Sequence, residues 1–167
     1  MDIATILITV AVVGFVLYKQ FTGQFVRTGG RETVLPFVLI GVGVLTVASV
    51  HPPVTALGVA LLAVELVLAV GLGVARGLAF RLETRDGWLY RRGSVALLVA
   101  WVATIVVRVG AEVLGGGTGA AALIATSSAL VLGASLAVQG MVLRRRVAAD
   151  GRPLRPTDGR RTARASA

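Results

Sequence analysis

Residues 54–114 read VTALGVALLAVELVLAVGLGVA (54–75), RGLAFRLETRDGWLYRRG (76–93) and SVALLVAWVATIVVRVGAEVL (94–114). Two apolar runs enclose a short connection that carries five arginines. An α-helix needs ~20 apolar residues, at 1.5 Å each, to cross ~30 Å of hydrocarbon. Each run has that length, so the stretch reads as two membrane spans joined by a polar loop. Working outward, three more apolar runs appear, at 3–21, 34–50 and 119–143. The sequence therefore predicts an all-α membrane protein, a bundle of five transmembrane helices occupying residues 1–146. Residues 147–167 have no periodicity and are rich in Arg, Pro and Gly. They read as a disordered basic tail, because such a segment cannot bury enough surface to offset its ordering entropy.

Composition agrees with a membrane chain. Of 167 residues, 56% are hydrophobic and 15% charged, with a net charge of +9, and the mean hydropathy is +0.85. A soluble domain is nearer a quarter charged. The positive balance points to cytoplasmic loops of a multispan protein; no basic cluster sits on a foldable soluble module, which argues against nucleic acid as a partner. There are no cysteines and one histidine. Disulfides and thiolate chemistry of this chain are thereby excluded, and a structural zinc site has almost no ligands to draw on. Sixteen arginines against one lysine point to a bacterial source and hence to the cytoplasmic (plasma) membrane.

The cations sort by loop. Lys19, Arg27 and Arg31 follow the first run; Arg76, Arg81, Arg85, Arg91 and Arg92 lie between the third and fourth. Arg144, Arg145, Arg146, Arg152, Arg155, Arg160, Arg161 and Arg164 follow the fifth. With five spans all three groups fall on one side, while the N-terminus, the His51-Pro52-Pro53 turn and the Gly115–Thr118 turn take the other. The positive-inside rule then puts the N-terminus outside and the tail in the cytoplasm. The apolar run at 3–21 lacks a positive n-region and reads as a retained helix rather than a signal peptide. A basic cytoplasmic face also attracts anionic lipid.

Within the loop at 76–93, Asp86-Gly87 separates two alternating runs. That dipeptide favours a type I′ turn, whose two central residues need φ > 0. A small cytoplasmic β-hairpin is predicted between the third and fourth helices, with Arg85 facing Trp88 and Glu83 facing Tyr90. An isolated hairpin is marginal in water, so it is expected to rest on the membrane interface, where Trp and Tyr are favoured.

Three ionisable residues lie inside spans: Glu65, Arg108 and Glu112. At 1.5 Å per residue, Glu65 lies ~16 Å and Arg108 ~22 Å from the cytoplasmic ends of their helices. An arginine side chain covers that difference. Glu112 stands one turn beyond Arg108 on the same face. Charges inside a span normally face the bundle interior and pair. Two readings stand side by side. The cluster is an ionic clamp between two helices, or it is a polar site in which Glu65 takes a proton or cation and Arg108 supplies the counter-charge.

In the last run Gly117, Ala121, Ala125, Ala129, Gly133 and Ala137 recur every fourth residue, a ribbon of small side chains that lets helices approach closely. It serves internal packing or a homo-oligomer. Of the polar residues beside it, Thr126, Ser127, Ser128 and Ser135 can bond to their own helix, leaving Gln139 in need of a partner. His51 reads as an exposed turn residue, the alternatives being an axial haem ligand or a pH-sensitive group.

From Glu65 to Arg108 the chain resembles the CcdC-like small bacterial membrane proteins. The resemblance rests on Glu65, Gly71 and Gly73, Arg76-Gly77, the turn at Asp86-Gly87, Arg91-Arg92-Gly93, Trp101 and Arg108, together with the five-span outline. It implies topology and polar positions, and no reaction. No Ser/His/Asp set and no carboxylate-rich metal site is visible, so neither catalytic residues nor cofactors are assigned. The functional expectation is a non-enzymatic accessory or assembly protein acting through helix packing with a membrane-protein partner. The alternative is a small proton- or ion-coupled carrier built on Glu65 and Arg108.

Overall fold

The computed structural model describes residues 14, 18, 22–26 and 34–155. Of the run expected at 3–21 only Gly14 and Tyr18 are described, both helical; the rest of that run, and the tail from 156 to 167, lie outside the described residues. The chain is mostly helical, with one small antiparallel sheet. In order the elements are β1 (Gln24–Phe25), α1 (Val34–Val50), α2 (Ala56–Ala79), β2 (Arg81–Arg85), β3 (Trp88–Arg92), α3 (Val95–Gly115), α4 (Ala121–Thr126) and α5 (Ser128–Asp150).

Local chemistry sets the helix ends. Pro36 sits in the first turn of α1, where its missing N–H is one of the unpaired donors anyway. His51 closes that helix with a φ of 46°, and Pro52-Pro53 forbids continuation. Thr55 and Ser94 cap α2 and α3, their hydroxyls accepting from the Gly58 N–H at 3.0 Å and the Leu97 N–H at 3.4 Å; such caps satisfy donors that the first turn leaves open. At 24 and 21 residues, α2 and α3 are long and apolar enough to cross a membrane, their 18-residue apolar stretches having mean hydropathies of 2.5 and 2.0.

Two boundaries differ from the sequence reading. The third run was expected to end at Ala75, but α2 continues to Ala79 and carries Arg76 into its last turn. Its terminal carbonyls are held by Arg146, whose Nη1 donates to Gly77 O (2.9 Å), Leu78 O (2.8 Å) and Phe80 O (2.9 Å). A single helix was expected over 119–143; instead α4 and α5 are separated at Ser127. Three consecutive hydroxyls stand at the break. Thr126, Ser127 and Ser128 donate to Ala122 O, Ile124 O and Ala125 O at 2.8, 3.1 and 2.6 Å, which competes with the helical ladder. Helix α5 then runs on to Asp150, and Gly151, at φ 70°, stops it, the left-handed position that glycine takes at a helix C-terminus. Residues 147–150, expected as the start of a disordered tail, are therefore helical.

Helix α5 is the packing centre, lying against both α1 and α2, while α3 packs against α2. The α1–α5 crossing is close because glycine faces it from both sides: a Cβ on Gly43 would stand 2.3 Å from Leu130 N, and one on Gly133 2.8 Å from Ile40 N. Phe80, Leu97, Trp101 and Leu143 form a buried cluster near the sheet, and Ala111, Ala120 and Ile124 a second at the other end. Elsewhere large apolar side chains point outward, among them Leu45, Val67, Val99, Val106 and Val113.

The sheet order is β1-β3-β2, all antiparallel. Arg85 pairs with Trp88 and Glu83 with Tyr90, and Asp86 and Gly87 have φ of 52° and 79°, as a type I′ turn needs. The hairpin is not isolated. On one edge β1 adds Gln24 opposite Arg91 and Phe25 opposite Tyr90, with the two rings edge-to-face at 5.2 Å. From the far end of the chain, Pro153 O accepts from the Leu89 N–H at 3.0 Å, and the Arg155 N–H donates to Val26 O at 3.1 Å. Residues 151–155 thus lie along the sheet rather than free in solvent.

Arg152 fastens that segment. It donates to the Asp150 carboxylate and, through Nη1, to Thr84 Oγ1 at 3.0 Å. The Arg152 hydrogen bond holds Asp150 below the usual carboxylate range and raises the guanidinium in return. A carboxylate depressed in the folded state contributes above its unfolded pKa of ~3.9, and the contribution is lost as pH falls through the folded value. Amide-exchange protection at Leu89 is expected to drop below about pH 4. Asp150→Asn should show the lowered protection already at neutral pH. Unchanged protection from pH 7 down to 3 would refute the link.

Candidate functional site

Glu65, Ala69, Gly73, Arg76 and Gly77 form the buried face of α2, spaced as one stripe of a 3.6-residue helix. Two polar groups on that stripe are the starting points of two clusters.

At the first, Glu65 is 3% exposed and its Oε1 accepts from Arg108 Nη1 of α3 at 2.8 Å. Arg108 Nε lies 3.2 Å from Glu112 Oε1, one turn along the same helix, and Glu112 is half exposed. The three ionisable residues picked from the sequence therefore meet, with Arg108 in the middle. Two further partners were not foreseen: Arg108 Nη2 donates to Ile124 O at 2.7 Å and to Ser128 Oγ. Ile124 and Ser128 flank the break between α4 and α5, so the guanidinium binds a carbonyl near that break. The only sequence signal was the hydroxyl run Thr126-Ser127-Ser128, which marks a weakened helix without saying what fills it.

The donor inventory of Arg108 is close to exhausted. A guanidinium has five N–H groups in a fixed fork, and four contacts occupy all three nitrogens. Those contacts reach α2, α3 and the α4–α5 break, tying three parts of the bundle to one side chain. Glu65 keeps one buried oxygen, Oε2, without a hydrogen-bond partner.

The second cluster was missed. Arg76 was expected in a solvated loop among the topology-setting cations; it is instead fully buried. Its guanidinium stacks over Trp101 of α3, 4.4 Å from the ring centroid. Nε donates to Leu72 O at 3.3 Å and Nη2 to Ser135 Oγ of α5. Ser135 was expected to bond to its own helix; instead it donates across to Ala69 O of α2 at 2.6 Å. Gln139, one turn further along α5, is buried, and its Oε1 has no partner, as is also true of Arg76 Nη1. The eleven-residue step from Glu65 to Arg76, three helical turns, was the available signal that both share one face.

The small-residue ribbon is divided by the break at Ser127, with Ala121 and Ala125 on α4 and Ala129, Gly133 and Ala137 on α5. Gly133 is buried against α1, while Ala121, Ala129 and Ala137 are half-buried and Ala125 is exposed. The close approaches to α2 instead use glycines of α2 itself: a Cβ on Gly73 would stand 2.6 Å from Ser135 O, and one on Gly77 2.7 Å from Val142 Cβ. His51 is exposed, its Nδ1 3.2 Å from Ser49 O. No group of three metal-ligating side chains occurs among the described residues.

Comparison with family models, with curated proteins and with solved structures yields no match.

Proposed function

We propose that the chain is a multi-pass protein of a bacterial cytoplasmic membrane that acts without catalysis, as an accessory or assembly protein packing against other membrane proteins. The observation that carries this reading is the occupancy of Arg108. Its guanidinium already holds Glu65, Glu112, Ile124 O and Ser128, so the intramembrane charge serves as a clamp on the bundle. The outward apolar side chains of α1, α2 and α3 support a lipid- or partner-facing surface. Orientation draws support from the grouping of the sheet, the end of α5 and their arginines at one end of the bundle, which positive-inside sorting assigns to the cytoplasm. The motifs shared with CcdC-like proteins are consistent with this reading.

One observation favours the carrier alternative: Glu65 Oε2 is buried and unpartnered, an open acceptor inside the bundle. Proteoliposomes carrying an internal pH dye separate the two. An accessory protein gives no proton flux above empty vesicles; flux that disappears with Glu65→Gln would overturn it. For the orientation, the natural absence of cysteine allows Thr28→Cys and Thr118→Cys labelling with a membrane-impermeant reagent in whole cells. Position 118 is expected to label and position 28 not; the reverse pattern would invert the topology.

A further inference from the structure

At the sheet end of the bundle a cavity of about 560 Å³ opens between the end of α2, strand β2 and the first turn of α3. Its lining combines three kinds of group. Arg81 of β2 and Arg146 of α5 bring positive charge, and Glu83, two residues along β2 from Arg81, brings a carboxylate. Leu78 and Val95, 57% and 77% exposed, supply an apolar rim.

The charges are available. Among the described residues Arg146 uses Nη1, on the last carbonyls of α2, and its Nη2 and Nε make no hydrogen bond there. Arg81 and Glu83 are exposed and make no ion pair within the described residues. Ser94 donates to Ala79 O at 2.6 Å and caps the Leu97 N–H, so the N–H groups of Val95 and Ala96, at the start of the helix, have no intrahelical acceptor. A cluster of donors for an anion therefore sits beside one acceptor for a cation, with greasy side chains at the mouth.

We infer that this cavity binds a zwitterionic phospholipid bearing a primary ammonium, its phosphate held by Arg146 and Arg81 and its ammonium by Glu83. The inference rests on the membrane reading, which brings lipid headgroups to the level where α2 ends and α3 begins. A purely anionic headgroup leaves Glu83 facing negative charge. A quaternary ammonium carries no N–H to donate to Glu83. A primary ammonium satisfies all three charges, and the acyl chains leave across Leu78 and Val95 into the bilayer. The volume is in the range of small-molecule sites, ~300–1,000 Å³.

The test is binding of short-chain phospholipids to the purified full chain in detergent, read by native mass spectrometry. The phosphatidylethanolamine form should bind about tenfold more tightly than the choline or glycerol forms, as one charge-assisted hydrogen bond provides. Glu83→Gln should abolish that preference, and Arg81→Gln should weaken all three lipids about fivefold or more. Neither side chain makes an ion pair within the described residues, so both variants should unfold like the parent. Equal affinities for the three lipids, or a preference that survives Glu83→Gln, would overturn the assignment. Free phosphoethanolamine binding as tightly as the lipid would replace it with a soluble ligand. Alkaline extraction of cell membranes keeps the two levels apart: release of the chain sinks the membrane reading, whereas a chain that stays in the pellet and shows no headgroup preference sinks the cavity alone.

Discussion

Arg108→Leu is expected to destabilise the bundle by about 3–5 kcal/mol, the cost of breaking a buried ion pair from one side. The change strips Glu65, 3% exposed, of its donor and frees Ile124 O and Ser128 from the contact that spans the α4–α5 break. Glu65→Leu should carry a penalty of similar origin, because it leaves Arg108 Nη1 without its acceptor. The double variant removes both charges and puts apolar volume in their place, so most of the loss should be recovered. Glu112→Gln, at a half-exposed i,i+4 partner, should cost no more than ~0.5 kcal/mol. Reversible unfolding in mixed micelles measures all four. Penalties for Glu65→Leu and Arg108→Leu that simply add in the double variant would mean that the two residues do not act as a pair.

Gly43→Val and Gly133→Val are expected to be about as damaging, at ~3 kcal/mol or more. Both would push a side chain into backbone, not into a movable neighbour. A Cβ on Gly43 lies 2.3 Å from Leu130 N, and one on Gly133 2.9 Å from Pro36 O. Backbone cannot rotate out of the way, so α1 and α5 must separate along their shared face. Gly41 and Gly140 are the matched controls, since nothing lies within 4 Å of a Cβ at either position. Alanine there should be neutral or stabilising by up to ~1 kcal/mol through helix propensity. Comparable losses at Gly41 and Gly43 would show that helix propensity and not contact decides the outcome.

What could be read from the chain beforehand was whatever is encoded locally. Pro36, the His51-Pro52-Pro53 break, Thr55 and Ser94 mark helix ends by their own backbone chemistry. Asp86-Gly87 specifies a turn whose geometry dictates the register on either side. The meeting of Glu65 with Arg108 was legible because two straight helices starting from one side obey simple depth arithmetic. Other features depend on distant partners and carried no such mark. In sequence Arg76 is merely the first arginine of a basic loop; its burial requires the Trp101 face and Ser135, 25 and 59 residues away. The guanidinium that donates to Ile124 O at the Ser127 break comes from another helix, 16 residues back in the chain. The placement of residues 151–155 depends on an open N–H at Leu89, which exists only once the sheet has formed.

That last arrangement has a mechanical consequence. The segment leading into α1, the connection between α2 and α3, and the segment leaving α5 all converge on strand β3, through Gln24-Phe25, through β2, and through Pro153. Three separate stretches of chain are stitched to one strand, so the helices are bound at that end like pages at a spine. At the opposite end the connections among the described residues are the His51-Pro52-Pro53 turn and the glycine turn after α3, beside the buried cluster of Ala111, Ala120 and Ile124. Separating the helices at the sheet end therefore requires breaking main-chain hydrogen bonds to β3.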